Sequence, residues 1–402
     1  MIKFQDFKIF IIACILLSYI AAPVVLFLFL DDNHLVRLTY CLIFFLFLLF
    51  ITEVFFYMFT LIFSKNKSNL NFFYKNDDIY FTAHPYLPYV MKKNMAFTNR
   101  VKADYQNLEF DYYFPSLTTN NLGFANGIDG SRKVEIKKNK TTFRINCLGA
   151  STTGNYLEFD KKIYSYPSLL EDLISKEFKD KKVEVNNFGQ GGYNSTEILI
   201  NFLYKVLPTE PDIVILYIGY NDIRSYLTKN FSFDYSNSRK KINFSEWKIK
   251  IHKYLPNLNL KFYSYLIKKI SIRNSLLEAV SFGELDIDQS PKDGLEVFRQ
   301  NIESIITICK NKNIKLILST FCTNPNKVDK NNLINQKFLE IVNLENQVIK
   351  SLSKTFSCDI VDNQSLISKE NKFFVDGIHF SHLGMEKLSN NFYNKIYKYL
   401  EN

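Results

Sequence analysis

The sequence predicts an α/β domain built on a parallel β-sheet and preceded by two membrane-spanning helices. Three observations predict it. Two long apolar runs lead the chain. From residue 143 onward, short apolar strands alternate with helical stretches, the pattern of a parallel sheet covered by helices on both faces. The run "DIVILYI" at 212–218 is apolar after its first residue, as expected of a strand buried on both sides.

Composition bounds the function. The chain has 402 residues, 47% of them apolar and 22% charged, which is globular rather than disordered composition with length for a sizeable core. The formal net charge is +10, with Lys spread along the chain. No basic block or RNA-binding motif accompanies it, so nucleic acid is not the expected partner. The charge fits a Lys- and Asn-rich chain with some attraction to anionic membrane lipid. Six cysteines lie scattered without CxxC spacing, and Cys14 and Cys41 fall inside apolar runs. That arrangement gives neither a zinc site nor a disulfide framework.

Taken in order, residues 1–64 form the anchor. The run at 9–30, "IFIIACILLSYIAAPVVLFLFL", carries no charge and is long enough to cross a bilayer. The run at 38–63 is also long enough and is interrupted only by Glu53. A signal peptide is the other reading of the first run, but it is long and lacks a small-x-small cleavage site. Lys3 and Lys8 precede the first run and Lys65, Lys67 and Lys75 follow the second, whereas the loop sets Arg37 against Asp31 and Asp32. The charge rule thus favours a cytoplasmic position for the large domain that follows by a few charges, and the opposite orientation stays open.

Residues 65–142 read as a linker followed by a β-rich lead-in. "HPYLPY", "FDYYFP" and "TTNNLGFANGIDG" place aromatic and β-branched residues between turn formers, as short strands and hairpins do. Residues 143–402 carry the alternation. Strands are expected at 143–148, 183–188, 212–218, 314–320 and 358–362, with helices around 164–178, 195–206 and 382–400. The stretch 225–290 breaks the rhythm as a Lys-rich helical insertion, either an ordinary solvated insertion or a lid or lipid-facing surface.

In a parallel sheet, ligands gather at the carboxyl ends of the strands, and four blocks fall there. They are "GASTT" with Ser151, "NFGQGGYNS" with Gly192, "GYND" with Asn221, and "VDGIHFSHLG" with Asp376 and His379. Alone, Ser151 reads three ways: nucleophile, phosphate cradle, or N-cap of the next helix. A phosphate loop wants Lys after its glycine, and "GASTTGN" has none. The set as a whole offers acyl transfer. A serine hydroxyl needs a base, which His379 supplies, and Asp376 is placed to hold the other ring nitrogen. The backbone N–H groups of Ser151 and Gly192 and the side-chain amide of Asn221 would serve a tetrahedral oxyanion, each such donor worth roughly 10²–10³ in kcat. A metal site drawn from Asp376, His379 and His382 lacks further ligands. His84 reads as a packed loop residue. No cofactor or metal is expected.

The order G-x-S, N-x-G-x-x-G, G-x-N-D and D-x-x-H before a final helix resembles that of SGNH hydrolases, the GDSL esterase/lipase superfamily, over about residues 143–400. The resemblance implies a flavodoxin-like three-layer α/β/α fold. It implies Ser151 as nucleophile, Asp376 and His379 as the rest of a triad, and Gly192 and Asn221 as oxyanion donors. The lead-in is similar to that of membrane-attached members. One departure is visible: the Asp usual before the serine is Ala150 here. The expected protein is an integral protein of a bacterial cytoplasmic membrane that cleaves an acyl or acetyl ester on a lipid, envelope glycan or small molecule. An O-acyltransferase using the same triad, or a catalytically silent scaffold of glycan assembly, are the alternatives.

Overall fold

The computed structural model describes residues 36–51 without 37 and 49, 81–239 without 83, 98–99, 104, 106–107, 109 and 128–129, and 283–401 without 330. The chain divides into two units: residues 1–76 with 243–274, and residues 77–242 with 275–402. In the first, the described residues between 36 and 51 are helical and expose Leu38, Leu42, Ile43, Leu46, Phe47 and Phe50. The expected span at 9–30 lies outside the described residues, as does half of the one at 38–63. Among the described residues, no helix is long and apolar enough to cross a membrane.

The second unit is built on five parallel strands: β1 (Thr142–Gly149), β2 (Lys182–Gly189), β3 (Ile213–Tyr217), β4 (Lys315–Ser319) and β5 (Asp359–Val361). Their spatial order is β2-β1-β3-β4-β5, the flavodoxin-like order. Each expected strand forms within a residue or two of its sequence limits. All five residues of β3 are buried, which is why that run carries no apolar/polar alternation. Gly149 pairs with both Gly189 and Tyr217, Tyr217 with Ser319, and Ser319 with Val361. The five strands therefore end flush, and the loops that follow them share one rim.

The helices of this unit include α1 (Ser151–Gly154), α2 (Tyr166–Glu177), α3 (Ser195–Asn201), α4 (Asn221–Leu227), α5 (Lys292–Asn311), α6 (Leu333–Phe356) and α7 (His382–Leu400), with a single turn at Asn363–Leu366. Packing of α2 on α7, and of α5 on α3, α4 and α6, gives the two outer layers that right-handed crossovers demand of this strand order. Val297, Phe298, Ile302, Ile305, Ile306 and Cys309 form the buried stripe of α5 at helical spacing. The Asn194 side chain accepts from the Glu197 amide while the Glu197 carboxylate accepts from the Asn194 amide, a reciprocal cap that fixes the start of α3. Beyond Asn201 the helix widens into a π-helical turn, Phe202–Val206, so the expected helix at 195–206 is continuous in path but not in hydrogen bonding.

The lead-in forms short antiparallel pairs, as expected. Val101–Lys102 and Tyr113–Phe114 join Leu157–Phe159 and Lys162–Tyr164 in a four-stranded sheet, which draws strands from both sides of β1. Leu87, Tyr89, Tyr112 and Phe124 are buried in the same core as β1 and β3. The helical stretches expected within 225–290 fall in 240–282, outside the described residues. The described ends of that segment meet: Lys229 N–H donates to the Glu284 carbonyl at 3.0 Å, and Asp286 N–H to that of Leu227 at 2.6 Å.

Candidate active site

Ser151 stands two residues beyond the end of β1, as the first residue of α1. The chain turns there because small residues let it. A Cβ on Gly149 would lie 2.2 Å from Thr153 Oγ1 and 2.4 Å from the Tyr217 carbonyl oxygen, so only glycine admits the turn. Asn187 Nδ2 donates to the Thr153 carbonyl at 2.9 Å and ties the turn to β2. The capping position of α1 falls on Ala150, whose methyl makes no cap bond. The reading of Ser151 as N-cap is thereby corrected: its hydroxyl is not committed to the helix.

That hydroxyl is committed elsewhere. Ser151 Oγ lies 2.9 Å from His379 Nε2, and His379 Nδ1 lies 2.7 Å from Asp376 Oδ2. The second Asp376 oxygen accepts the backbone N–H groups of Ile378 and His379 at 2.8 and 2.7 Å. Burial pushes the Asp376 carboxyl up, but the bonds from the His379 ring and the two amides outweigh it and hold the group below the usual carboxylate range. An ionised Asp376 accepts a proton-bearing Nδ1, which leaves the Nε2 lone pair facing the serine. The loop is braced on both sides: Val375 N–H donates to the His379 carbonyl at 2.9 Å, and Asn324 N–H to that of Gly377 at 2.9 Å.

The other two rim blocks flank this chain of bonds. A Cβ built on Gly191 would stand 3.9 Å from Ser151 Cβ, so the glycine loop runs directly past the serine. Gly192 has φ +77°, a backbone state that side chains disfavour. Asn221 opens α4 after Tyr220, itself at φ +69°. Asn221 Nδ2 donates to the Tyr193 carbonyl at 2.9 Å, which fastens its amide to the glycine loop. An amide nitrogen carries two protons, and the second is available to a ligand. The structure thus joins Ser151, His379 and Asp376 directly, brings the loop next to Ser151 at Gly191, the neighbour of Gly192, and ties Asn221 to the same loop at the Tyr193 carbonyl.

Further residues support this rim and are not apparent from motifs. Asp222, fully buried, accepts Ser195 N–H at 2.9 Å and Ser195 Oγ–H at 2.5 Å, and Tyr235 donates to it at 3.3 Å. Glu345, reaching across from the middle of α6, accepts Tyr220 N–H at 3.0 Å and the Tyr226 hydroxyl at 2.9 Å. Both carboxyls are pushed up, chiefly by burial. The glycine loop is held from its far side by Tyr89, Arg239 and Glu197. His382 lies elsewhere: buried, stacked on Phe159 with ring centroids 4.1 Å apart, its Nδ1 2.8 Å from the Tyr112 hydroxyl. His84 accepts the Tyr86 N–H at 3.3 Å within its own turn. Among the described residues, no group of three His, Cys, Asp or Glu side chains is placed to hold a metal.

Comparison with known proteins follows the same residues. A family model described as "GDSL-like Lipase/Acylhydrolase family" matches residues 147–387. No curated protein matches the chain. Solved structures similar to it include a lipase/acylhydrolase from Enterococcus faecalis, at 18% identity, a TM-score of 0.38, and coverage of 64% of this chain and 96% of that one. Another is Axe2, an acetylxylan esterase from Geobacillus stearothermophilus, at 15% identity, a TM-score of 0.38, and coverage of 63% and 94%.

Proposed function

The chain belongs to the GDSL-like lipase/acylhydrolase family and is a serine ester hydrolase; from that premise we propose that Ser151, His379 and Asp376 are its catalytic triad, with Gly192 and Asn221 as oxyanion donors. The observation that carries this reading is the unbroken chain of bonds from Ser151 Oγ through the His379 ring to Asp376. As Ser151 Oγ bonds to the ester carbonyl carbon, its proton passes to His379 Nε2. Asp376 stabilises the imidazolium through Nδ1–H without taking the proton. The carbonyl oxygen becomes an oxyanion facing the Gly192 N–H and the second N–H of Asn221. Collapse breaks the bond to the leaving alcohol, which takes the proton from His379 and leaves an acyl-Ser151. Water then repeats the sequence: His379 accepts its proton, the hydroxyl bonds to the acyl carbon, and Ser151 departs with the proton returned.

The apolar runs at 9–30 and 38–63 support an anchor of two membrane helices in a bacterial cytoplasmic membrane. An enzyme held at that surface is suited to acyl or acetyl esters on lipid or envelope glycan, with water as the acceptor. The test is covalent. A fluorophosphonate probe should label the wild-type protein on the peptide that contains Ser151 and leave Ser151→Ala unlabelled; a folded wild type that stays unlabelled would sink the assignment.

A further inference from the structure

The glycine loop beside Ser151 is gripped by groups from two parts of the chain that precede and follow it. Tyr89, in the lead-in, donates its hydroxyl to the Gly191 carbonyl. Tyr193 returns the contact by donating its own hydroxyl to the Tyr89 carbonyl at 2.5 Å. Arg239 donates from Nη2 to the Gly192 carbonyl at 2.7 Å, and its Nε and Nη2 each reach a Glu197 oxygen at 2.6 Å. The guanidinium also lies over the Tyr89 ring, 5.6 Å from its centroid. Tyr89 is 1% exposed, so its hydroxyl is held in one place by packing.

We infer that Tyr89 is a positioning residue for the oxyanion site: its bond to the Gly191 carbonyl fixes the plane of the Gly191–Gly192 peptide and so aims the Gly192 N–H. The physical link is the peptide itself. In a planar trans peptide the C=O and the following N–H point in opposite directions. Tyr89 holds the Gly191 oxygen, so the Gly192 N–H of the same peptide is turned away from Tyr89. A Cβ built on Gly191 would stand 3.9 Å from the Ser151 Cβ, so that peptide belongs to the stretch of loop nearest the reacting side chain. Arg239 fixes the next carbonyl in line, that of Gly192, so two successive peptides of the loop are restrained. The loop needs this restraint. A glycine pair has little preference of its own between peptide orientations, and a flipped Gly191–Gly192 peptide would offer the oxyanion a carbonyl oxygen in place of a donor. The lead-in is on this account part of the catalytic architecture, although it lies outside the stretch matched by the family model.

The inference rests on Gly192 as an oxyanion donor and deepens that assignment. Its test is Tyr89→Phe in the full chain, assayed for ester turnover and for inhibition by a boronic acid, whose tetrahedral adduct with serine presents the same oxygen. Loss of alignment should lower kcat roughly 10- to 10²-fold with KM nearly unchanged, and weaken boronate binding in proportion. Tyr399→Phe is the control. It removes another phenol bond, from Tyr399 to Asp359 at the start of β5, and should leave kcat near wild type. Equal kcat losses in the two variants, or wild-type kcat in folded Tyr89→Phe, would overturn the inference. If Tyr89→Phe does not fold, Arg239→Lys decides by the same measurements, since it keeps the charge near Glu197 but loses the forked contact. Wild-type kcat in the variant, with Ser151 still labelled by fluorophosphonate, removes the clamp alone; absence of labelling in the wild type removes the triad beneath it.

Discussion

His379 and His382 stand on either side of Ser381, the cap of α7, and the fold gives them opposite surroundings. His379 has one nitrogen on Ser151 and the other on Asp376, with about a fifth of its side chain exposed. His382 is buried between Phe159, Phe110, Tyr112 and Tyr164 and bonds a phenol. One ring is set to move a proton; the other packs. The carboxyls divide in the same way. Asp376 sits at the rim with three donors and is held ionised, while Asp222 and Glu345 sit behind the rim, where burial raises both. Residue type does not assign the role. The depth of burial and the neighbouring His379 ring do.

The largest effect that sharpens this contrast lies at Asp376. In Asp376→Asn the His379 Nδ1–H loses its acceptor, the ring can adopt the wrong tautomer, and kcat should fall by about 10⁴-fold with the fold intact by circular dichroism. A loss below tenfold would mean that Asp376 is no more than a loop brace. A smaller effect, on stability, lies at Glu345. Its folded pKa is raised above the unfolded value, so across that interval the folded chain holds a proton that the unfolded chain has lost. Stability from this group therefore falls as pH rises from about 5 to about 8, and levels off above the folded pKa. Replacing Glu345 by Gln keeps an acceptor for Tyr220 N–H and removes the titration. Thermal unfolding of Glu345→Gln should show a flatter Tm between those pH values than wild type, with a higher Tm at the alkaline end. Parallel Tm profiles would contradict the burial of a proton at Glu345.

Much of the domain is legible in the sequence for physical reasons. Strands buried on both faces read as short apolar runs, and the five fell where those runs are. The order of the four loop blocks puts Ser151, Gly192, Asn221, Asp376 and His379 in loops after strands, and the flush register of β1 to β5 ends those strands at one level. The lead-in was legible only as β-rich. Its strands are two residues long, too short for a period, and one of its partners lies beyond β1 at Leu157–Phe159. Tyr89 and Glu345 were invisible for a related reason. Each acts through bonds to residues more than a hundred positions away, and no local pattern encodes such a contact. That Ala150, and not a serine, occupies the capping position of α1 is not legible either, because serine is the usual cap, and here the serine hydroxyl has another partner.

The most direct test of the account sets the two histidines against each other. Ester turnover is measured for His379→Ala and His382→Ala, each assayed below its own Tm. His379→Ala should lose at least about 10⁴-fold in kcat, while His382→Ala, though less stable, should retain kcat within about tenfold of wild type because its ring touches no reacting atom. Equal losses in the two variants, or substantial turnover in His379→Ala, would contradict the assignment of His379 as the base for Ser151.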